Sequence, residues 1–285
     1  MTFSWGTICG ARPAVMGVVN VTPDSFSDGG RWLEPDSAVT HGLELVAAGA
    51  DLLDVGGEST RPGAERVDAD EERRRVVPVV ERLIVEAGVP LSIDTTKRDV
   101  AAAALDAGAT IVNDVSAGRF EPDLLTVAAD AGAGYVAMHM LGDPRTMQQD
   151  PRYDDVVRDV AAFLVERLDA ARGAGIADGA LAVDPGIGFG KTIRHNLELL
   201  ARLPELVVGT GVPVVVGTSR KRFIGAVLGD GGADLPAAER EEGTLATVVV
   251  ALDRGARVMR VHEARPAAQA VQLLEAMRTA EASAA

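Results

Sequence analysis

Arg61, Lys221, Arg260 and His262 are the cations to consider first, because they fall close behind apolar runs in a chain that is otherwise acidic. Over 285 residues, 42 Asp and Glu outweigh 28 Lys and Arg, and the formal net charge is −14. Nucleic acid and anionic membrane surfaces are repelled by such a molecule as a whole, so neither is expected as a partner. An anionic small molecule must then be held by a local cluster of cations. Guanidinium groups grip phosphate oxygens bidentately, and charge-assisted bonds of this kind contribute about 1.5–3 kcal/mol each. Any one of the four suits a surface ion pair; together they suit a phosphate-bearing ligand.

Asp94 and Asp184 each follow directly on an apolar run, where a carboxylate is partly desolvated and can pair with guanidine-like N–H groups of a heterocycle. The same positions suit helix N-caps, since helical segments follow both. Asn113 stands in the same register and can both donate and accept. Three such groups could read a ring with amide and amine edges, which favours a pterin-like ligand over a sugar. Asn20 would make a poor all-protein metal cage, yet Mg²⁺ often takes only one or two protein ligands beside substrate phosphates and water. It equally suits a turn ahead of Thr22-Pro23-Asp24.

Met138 and His139 end a buried run, where packing and ligand contact are both open. Gly186-Ile187-Gly188-Phe189-Gly190-Lys191-Thr192 ends like a phosphate loop, but Gly186 stands one residue too close to Gly190-Lys191 for that motif. A Gly-rich turn that sets Phe189 beside a ligand fits better. His41 and His195 are expected on helix surfaces, and the charged run from Asp68 to Arg75 as a solvated helix start.

These residues need a scaffold that gathers them. Short aliphatic runs recur at residues 14–19, 52–55, 91–93, 110–112, 135–138, 180–183, 212–216 and 257–261, without the polar alternation of a half-exposed sheet. Between and after them, helical spacing covers 37–48, 70–86, 97–107, 122–131, 153–174, 193–201, 237–254 and 266–280. Gly49, Gly88, Gly108, Gly132, Gly175 and Gly255 follow closely on helical segments and suit left-handed C-caps. Eight βα units allow a closed barrel or an open doubly wound sheet. Polar clusters follow all eight runs, whereas an open sheet concentrates chemistry at its switch point. The expected fold is a single (β/α)₈ TIM barrel over residues 1–285, with residues 1–12 as an N-terminal hairpin closing its floor.

Hydrophobic residues make up 47% of the chain, enough for a large core. Cys9 is the only cysteine, which fits a reducing compartment. Neither an export signal nor a bilayer-length apolar run is recognisable, and a cytoplasmic protein is expected.

The segments Met16-Gly17-Val18-Val19-Asn20-Val21-Thr22-Pro23-Asp24-Ser25-Phe26-Ser27-Asp28-Gly29-Gly30 and Asp54-Val55-Gly56-Gly57-Glu58-Ser59-Thr60-Arg61-Pro62-Gly63 closely resemble the two signatures of the dihydropteroate synthases. Further matches follow in the family's order at Ser92-Ile93-Asp94-Thr95, Asn113-Asp114, Met138-His139, Asp184-Pro185-Gly186-Ile187-Gly188-Phe189, Ser219-Arg220-Lys221 and Arg260-Val261-His262. The resemblance implies condensation of 6-hydroxymethyl-7,8-dihydropterin pyrophosphate with 4-aminobenzoate in folate biosynthesis, with Mg²⁺ as cofactor and a homodimer as the assembly.

Residue by residue, it implies that Asp94, Asn113, Asp184 and Lys221 hold the pterin, with Met138 packing on its ring. Asn20 would bind the metal beside the pyrophosphate, which Arg61, Arg260 and His262 would hold. Thr60, Pro62, Phe189 and Ser219 would line the aminobenzoate pocket, where sulfonamides bind in this family. Asp94, Lys221 and Arg61 would be the catalytic residues of a dissociative substitution, beneath closing loops at about residues 22–30 and 59–65. Two other readings compete. Lys221 at a strand end also suits a Schiff-base aldolase, and the barrel also suits a pterin-carrying module of corrinoid methyl transfer. The intact Ser59-Thr60-Arg61-Pro62 and Ser219-Arg220-Lys221 segments speak against the second.

Overall fold

The computed structural model describes residues 2–22, 35–59, 66–230 and 232–284. Its strands are β1 (Ala14–Asn20), β2 (Leu52–Gly56), β3 (Leu91–Asp94), β4 (Ile111–Asp114), β5 (Gly134–Met138), β6 (Leu181–Asp184), β7 (Val215–Val216) and β8 (Val258–Val261). All neighbours are parallel, in the order β6-β5-β4-β3-β2-β1-β8-β7. A parallel bridge between Val183 and Val214 joins the two ends of that order, so the sheet closes as the strand-end polar clusters suggested. β7 is shorter than the apolar run around it because Pro213 has no N–H to give to a ladder. The Pro213 carbonyl nevertheless accepts from Val183 N at 3.0 Å.

Eleven helices are present among the described residues. The first, α1 (Trp5–Cys9), replaces the expected N-terminal hairpin. It is held as a plug by burial of Trp5, whose indole N–H donates to the Ala180 carbonyl at 2.9 Å. Next come α2 (Pro35–Ala47), α3 (Ala69–Glu86), α4 (Arg98–Asp106), α5 (Asp123–Asp130), α6 (Val156–Gly173) and α7 (Ile193–Ala201), close to their expected bounds. α8 (Leu203–Thr210) and α9 (Arg222–Leu228) are additions. The expected helix over 237–254 begins instead as a short 3₁₀ turn and resumes as α10 (Glu241–Asp253), because Arg240 turns back to the carbonyls of Leu235 and Arg220 at 2.7 and 2.9 Å. The last is α11 (Ala264–Ala284).

All six glycines expected at helix ends have positive φ, between 62° and 111°. No helix among the described residues is long and apolar enough to cross a membrane.

Side-chain parity divides the barrel into two cores. On each strand one set of alternate positions, such as Val15, Leu53, Ile93, Val112, Tyr135, Val183 and Met259, packs outward with the helices. The other set, Met16, Leu52, Ile111, Val136, Ala182, Val215 and Val258, points inward and forms an apolar floor capped by Trp5 and Cys9 of α1. One layer up, the same inward parity brings Asp54, Asp94, Asn113, Met138, Asp184 and Arg260 to the opposite mouth. Asp68 caps α3 through Glu71 N at 2.8 Å, as a helix start should. Glu72 in that charged run is not solvated, however: it is buried and paired with Lys97, which also holds Glu58 at 2.8 Å.

Asp114 ends β4 as a fully buried tie. One of its carboxylate oxygens accepts from Ser116 N and Oγ at 2.7 Å each, and the other from Gly118 N at 2.5 Å and the Tyr135 hydroxyl at 2.9 Å. Asp114→Ala strands these donors and is expected to destabilise the fold by about 3 kcal/mol in urea unfolding. A loss below about 0.5 kcal/mol would show that the tie does not hold this strand end.

Candidate active site

Asp54 is wholly buried, and its Oδ2 accepts from Arg260 Nε at 2.6 Å and from Asn113 Nδ2 at 3.0 Å. Arg260 Nη2 donates to Asp94 Oδ2 at 2.7 Å. The guanidinium therefore reaches from β8 past β1 to carboxylates on β2 and β3, and Asn113 on β4 extends the chain of contacts. Asp54 Oδ1, Asp94 Oδ1 and Ser92 Oγ are buried with no hydrogen-bond partner among the described residues. Buried polar atoms in native proteins are nearly always paired, so unfilled acceptors at a barrel mouth point to a ligand carrying N–H donors.

The electrostatics follow from burial. Desolvation pushes the Asp94 carboxyl up, opposed by Arg260 and reinforced by the nearby charges of Asp54, Glu72 and Asp114. Asp184 is likewise raised by burial, against the pull of Lys221 and the bond that its Oδ1 accepts from Gly186 N at 2.7 Å. Burial lowers the Lys221 ammonium to about 8 despite the attraction of Asp184. Arg260 is the exception: burial opposes its charge, but Asp54 and Asp94 outweigh that and raise its pKa.

On the other side of the mouth, Lys221 precedes α9 and donates to the Ile187 carbonyl. Its ammonium stands 4.9 Å from the centroid of Phe189. Met138, Val115, Met140 and Met147 form an apolar cluster against which Phe120 and Phe189 pack. Ser219 Oγ meets both the backbone N–H and Nδ1 of His262, at 3.2 and 3.0 Å. Arg220, between Ser219 and Lys221, turns outward with φ +59° and pairs with Glu263 at 2.6 Å.

Most residues expected from the sequence thus converge on one mouth. Asp94 and Asp184 are not N-caps, since Lys97 precedes α4 and Thr192 caps α7. His195 is half-buried and completes the α7 capping box rather than lying free on a surface. Lys191 turns into the protein, toward His139, so the segment before α7 does not work as a phosphate loop. Thr60, Arg61 and Pro62, and nearly all of the expected closing loops, lie outside the described residues.

Asn20 ends β1 in register with Gly56. Among the described residues no group of three or more His, Cys, Asp or Glu is placed to hold a metal ion. One neutral amide oxygen fits Mg²⁺ that draws its other ligands from phosphate and water, and does not fit an all-protein cage. The sequence reading missed Asp54 as a site residue. Its signal was a lone carboxylate at an inward position of the otherwise apolar run Leu52-Leu53-Asp54-Val55.

The family model for pterin binding enzymes matches residues 16–262. The dihydropteroate synthase of Mycobacterium leprae is 50% identical over 264 residues, covering 92% of each chain. That of Escherichia coli is 44% identical over 271 residues, covering 95% of this chain and 94% of its own. Among solved structures, Xanthomonas albilineans dihydropteroate synthase with 4-aminobenzoic acid superposes with a TM-score of 0.86 at 49% identity, over 94% of this chain and 93% of that one. Its complex with 7,8-dihydropteroate gives 0.83 at 46% identity, over 94% of both chains. With the barrel, the mouth and these matches in agreement, the chain belongs to the dihydropteroate synthases, within the pterin binding enzyme family.

Proposed function

We propose that this chain condenses 6-hydroxymethyl-7,8-dihydropterin pyrophosphate with 4-aminobenzoate, giving 7,8-dihydropteroate and pyrophosphate. The observation that carries this reading is the interior ring of Asp94, Asn113, Asp184 and Lys221, in which Asp94 keeps one buried acceptor that no described residue fills. A pterin offers the complementary guanidine-like N–H edge and a ring carbonyl. The relatives' activity and the ligands of the X. albilineans enzyme support the same substrates.

In the proposed reaction the C–O bond between the pterin methylene and pyrophosphate breaks first, and its electron pair leaves with pyrophosphate. The amine nitrogen of 4-aminobenzoate then bonds to the methylene carbon and gives up a proton. Asp94 stabilises the positive charge that develops on the ring, an electrostatic task suited to a preorganised carboxylate. Arg260, held by Asp54 and Asp94, is assigned to the leaving anion together with His262 and, from the sequence motif, Arg61. Asn20 holds Mg²⁺, which supplies charge neutralisation to the pyrophosphate. Lys221 orients the pterin carbonyl, Met138 packs on the ring, Phe189 and Ser219 line the aminobenzoate pocket, and the sequence motif assigns Thr60 and Pro62 to the same substrate.

The chain is further proposed to act as a homodimer in the cytoplasm. Val227 and Leu228 of α9, Val249 and Val250 of α10, and Leu273 and Met277 of α11 are exposed apolar residues that support such an interface.

Sustained, multiple-turnover pyrophosphate release by the purified protein is expected to require the pterin substrate, Mg²⁺ and 4-aminobenzoate together, with dihydropteroate as product. Pterin binding without release would instead assign a carrier module. Lys221 acts as an ammonium, which is present below its pKa of about 8 and lost above it. The kcat/KM for the pterin substrate is therefore expected to fall as pH rises through about 8. In Lys221→Arg, whatever the residual rate, that alkaline limb is expected to vanish; a limb that stays in place would belong to another group.

A further inference from the structure

The turn from β6 to α7 has every carbonyl from Gly186 to Gly190 occupied. Gly186 O accepts from Phe189 N at 3.0 Å, Ile187 O from Lys221 Nζ, and Gly188 O from Gln148 Nε2 at 2.7 Å. Phe189 O accepts from Lys191 Nζ at 3.0 Å and Gly190 O from the Tyr153 hydroxyl at 2.7 Å. Its three glycines all have positive φ, and a Cβ on Gly186 would lie 1.8 Å from the His139 carbonyl oxygen. The turn is therefore pressed against the segment that leaves β5.

Lys191 is only 3% exposed, and among the described residues no carboxylate is a hydrogen-bond partner of its Nζ. Its partners are His139 Nδ1 at 2.8 Å and the carbonyls of Phe189 and His139 at 3.0 and 3.5 Å. Burial pushes the Lys191 pKa well down, against the attraction of Asp184, and placing this polar group on neutral acceptors is a cost that core packing alone does not require. Burial, with the charge of Lys191 beside it, lowers His139 to about 2, so its ring is neutral and Nδ1 can accept. The ring is itself fixed edge-on against Phe163, with centroids 4.8 Å apart.

We infer that Lys191 and His139 are a pair of positioning residues that pin the β6–α7 turn to the end of β5 and so set the Phe189 wall of the aminobenzoate pocket. This rests on the synthase reading above. The pair acts on the second substrate more than on the pterin: Phe189 belongs to the turn itself, whereas Asp94 and Asn113 stand on other strands and only Asp184 and Lys221 touch the turn, at Gly186 N and the Ile187 carbonyl.

Lys191→Met keeps most of the stem and removes the amino group. It is expected to raise KM for 4-aminobenzoate at least about tenfold, while calorimetric binding of 6-hydroxymethyl-7,8-dihydropterin weakens by no more than about threefold. His139→Leu is expected to reproduce this, His139→Gln to restore most of the aminobenzoate fit through its amide oxygen, and the double variant Lys191→Met/His139→Leu to be little worse than Lys191→Met. Should Lys191→Met fail to fold, the contrast between His139→Leu and His139→Gln decides alone. An unchanged KM for 4-aminobenzoate, a proportional loss of dihydropterin binding, or equal defects in the two His139 variants would overturn the pin. A wild-type protein that makes no dihydropteroate would overturn the synthase reading and the pin together; synthesis with an unaffected Lys191→Met overturns the pin only.

Discussion

Charge buried at the barrel mouth is the constraint on which the rest of the site depends. Taking a carboxylate or guanidinium out of water costs several kcal/mol, and only close pairing with further hydrogen bonds offsets it. Arg260 meets that condition by reaching Asp54 and Asp94 at once, and Asn113 adds a bond to Asp54. The pairing fixes three strand ends relative to one another across the barrel interior. It also leaves one oxygen on each carboxylate buried and without a partner among the described residues, so the same interaction that orders the mouth prepares acceptors for a ligand.

Below this polar layer, the alternation of strand residues supplies an apolar floor, sealed by Trp5 on α1. The floor makes the mouth the open end of the barrel interior and lowers the dielectric beneath it. Asp94 and Asp184 are raised and Lys221 is lowered for that reason. A site built this way stabilises charge that develops during reaction without having to reorganise for it. Beside it, the β6–α7 turn carries Phe189 and the carbonyl that receives Lys221, so the two reactant pockets share one rigid edge.

Much of this was legible in the sequence, for physical reasons. Strands covered on both faces read as continuous apolar runs, and the residues ending those runs are brought together by the geometry of a closed barrel. Glycines such as Gly49 and Gly255 marked helix ends because their backbone conformation excludes most side chains. α1 escaped because five residues carry too little periodicity to distinguish a plug from a hairpin. α9 escaped because its residues follow the Ser219-Arg220-Lys221 motif directly and its seven residues read as loop. Asp54 and the Lys191–His139 pair were hidden for another reason. Their roles are set by partners 206 and 52 residues away, and such pairings appear only when the barrel closes.

A double-mutant cycle on Arg260 and Asp54, read by urea unfolding, tests the account most directly. Arg260→Met alone is expected to cost about 3–5 kcal/mol, because it strands buried carboxylates, and adding Asp54→Asn is expected to recover part of that loss. Costs for the two single variants that simply add in the double, within about 0.5 kcal/mol, would contradict the claim that this bridge organises the mouth.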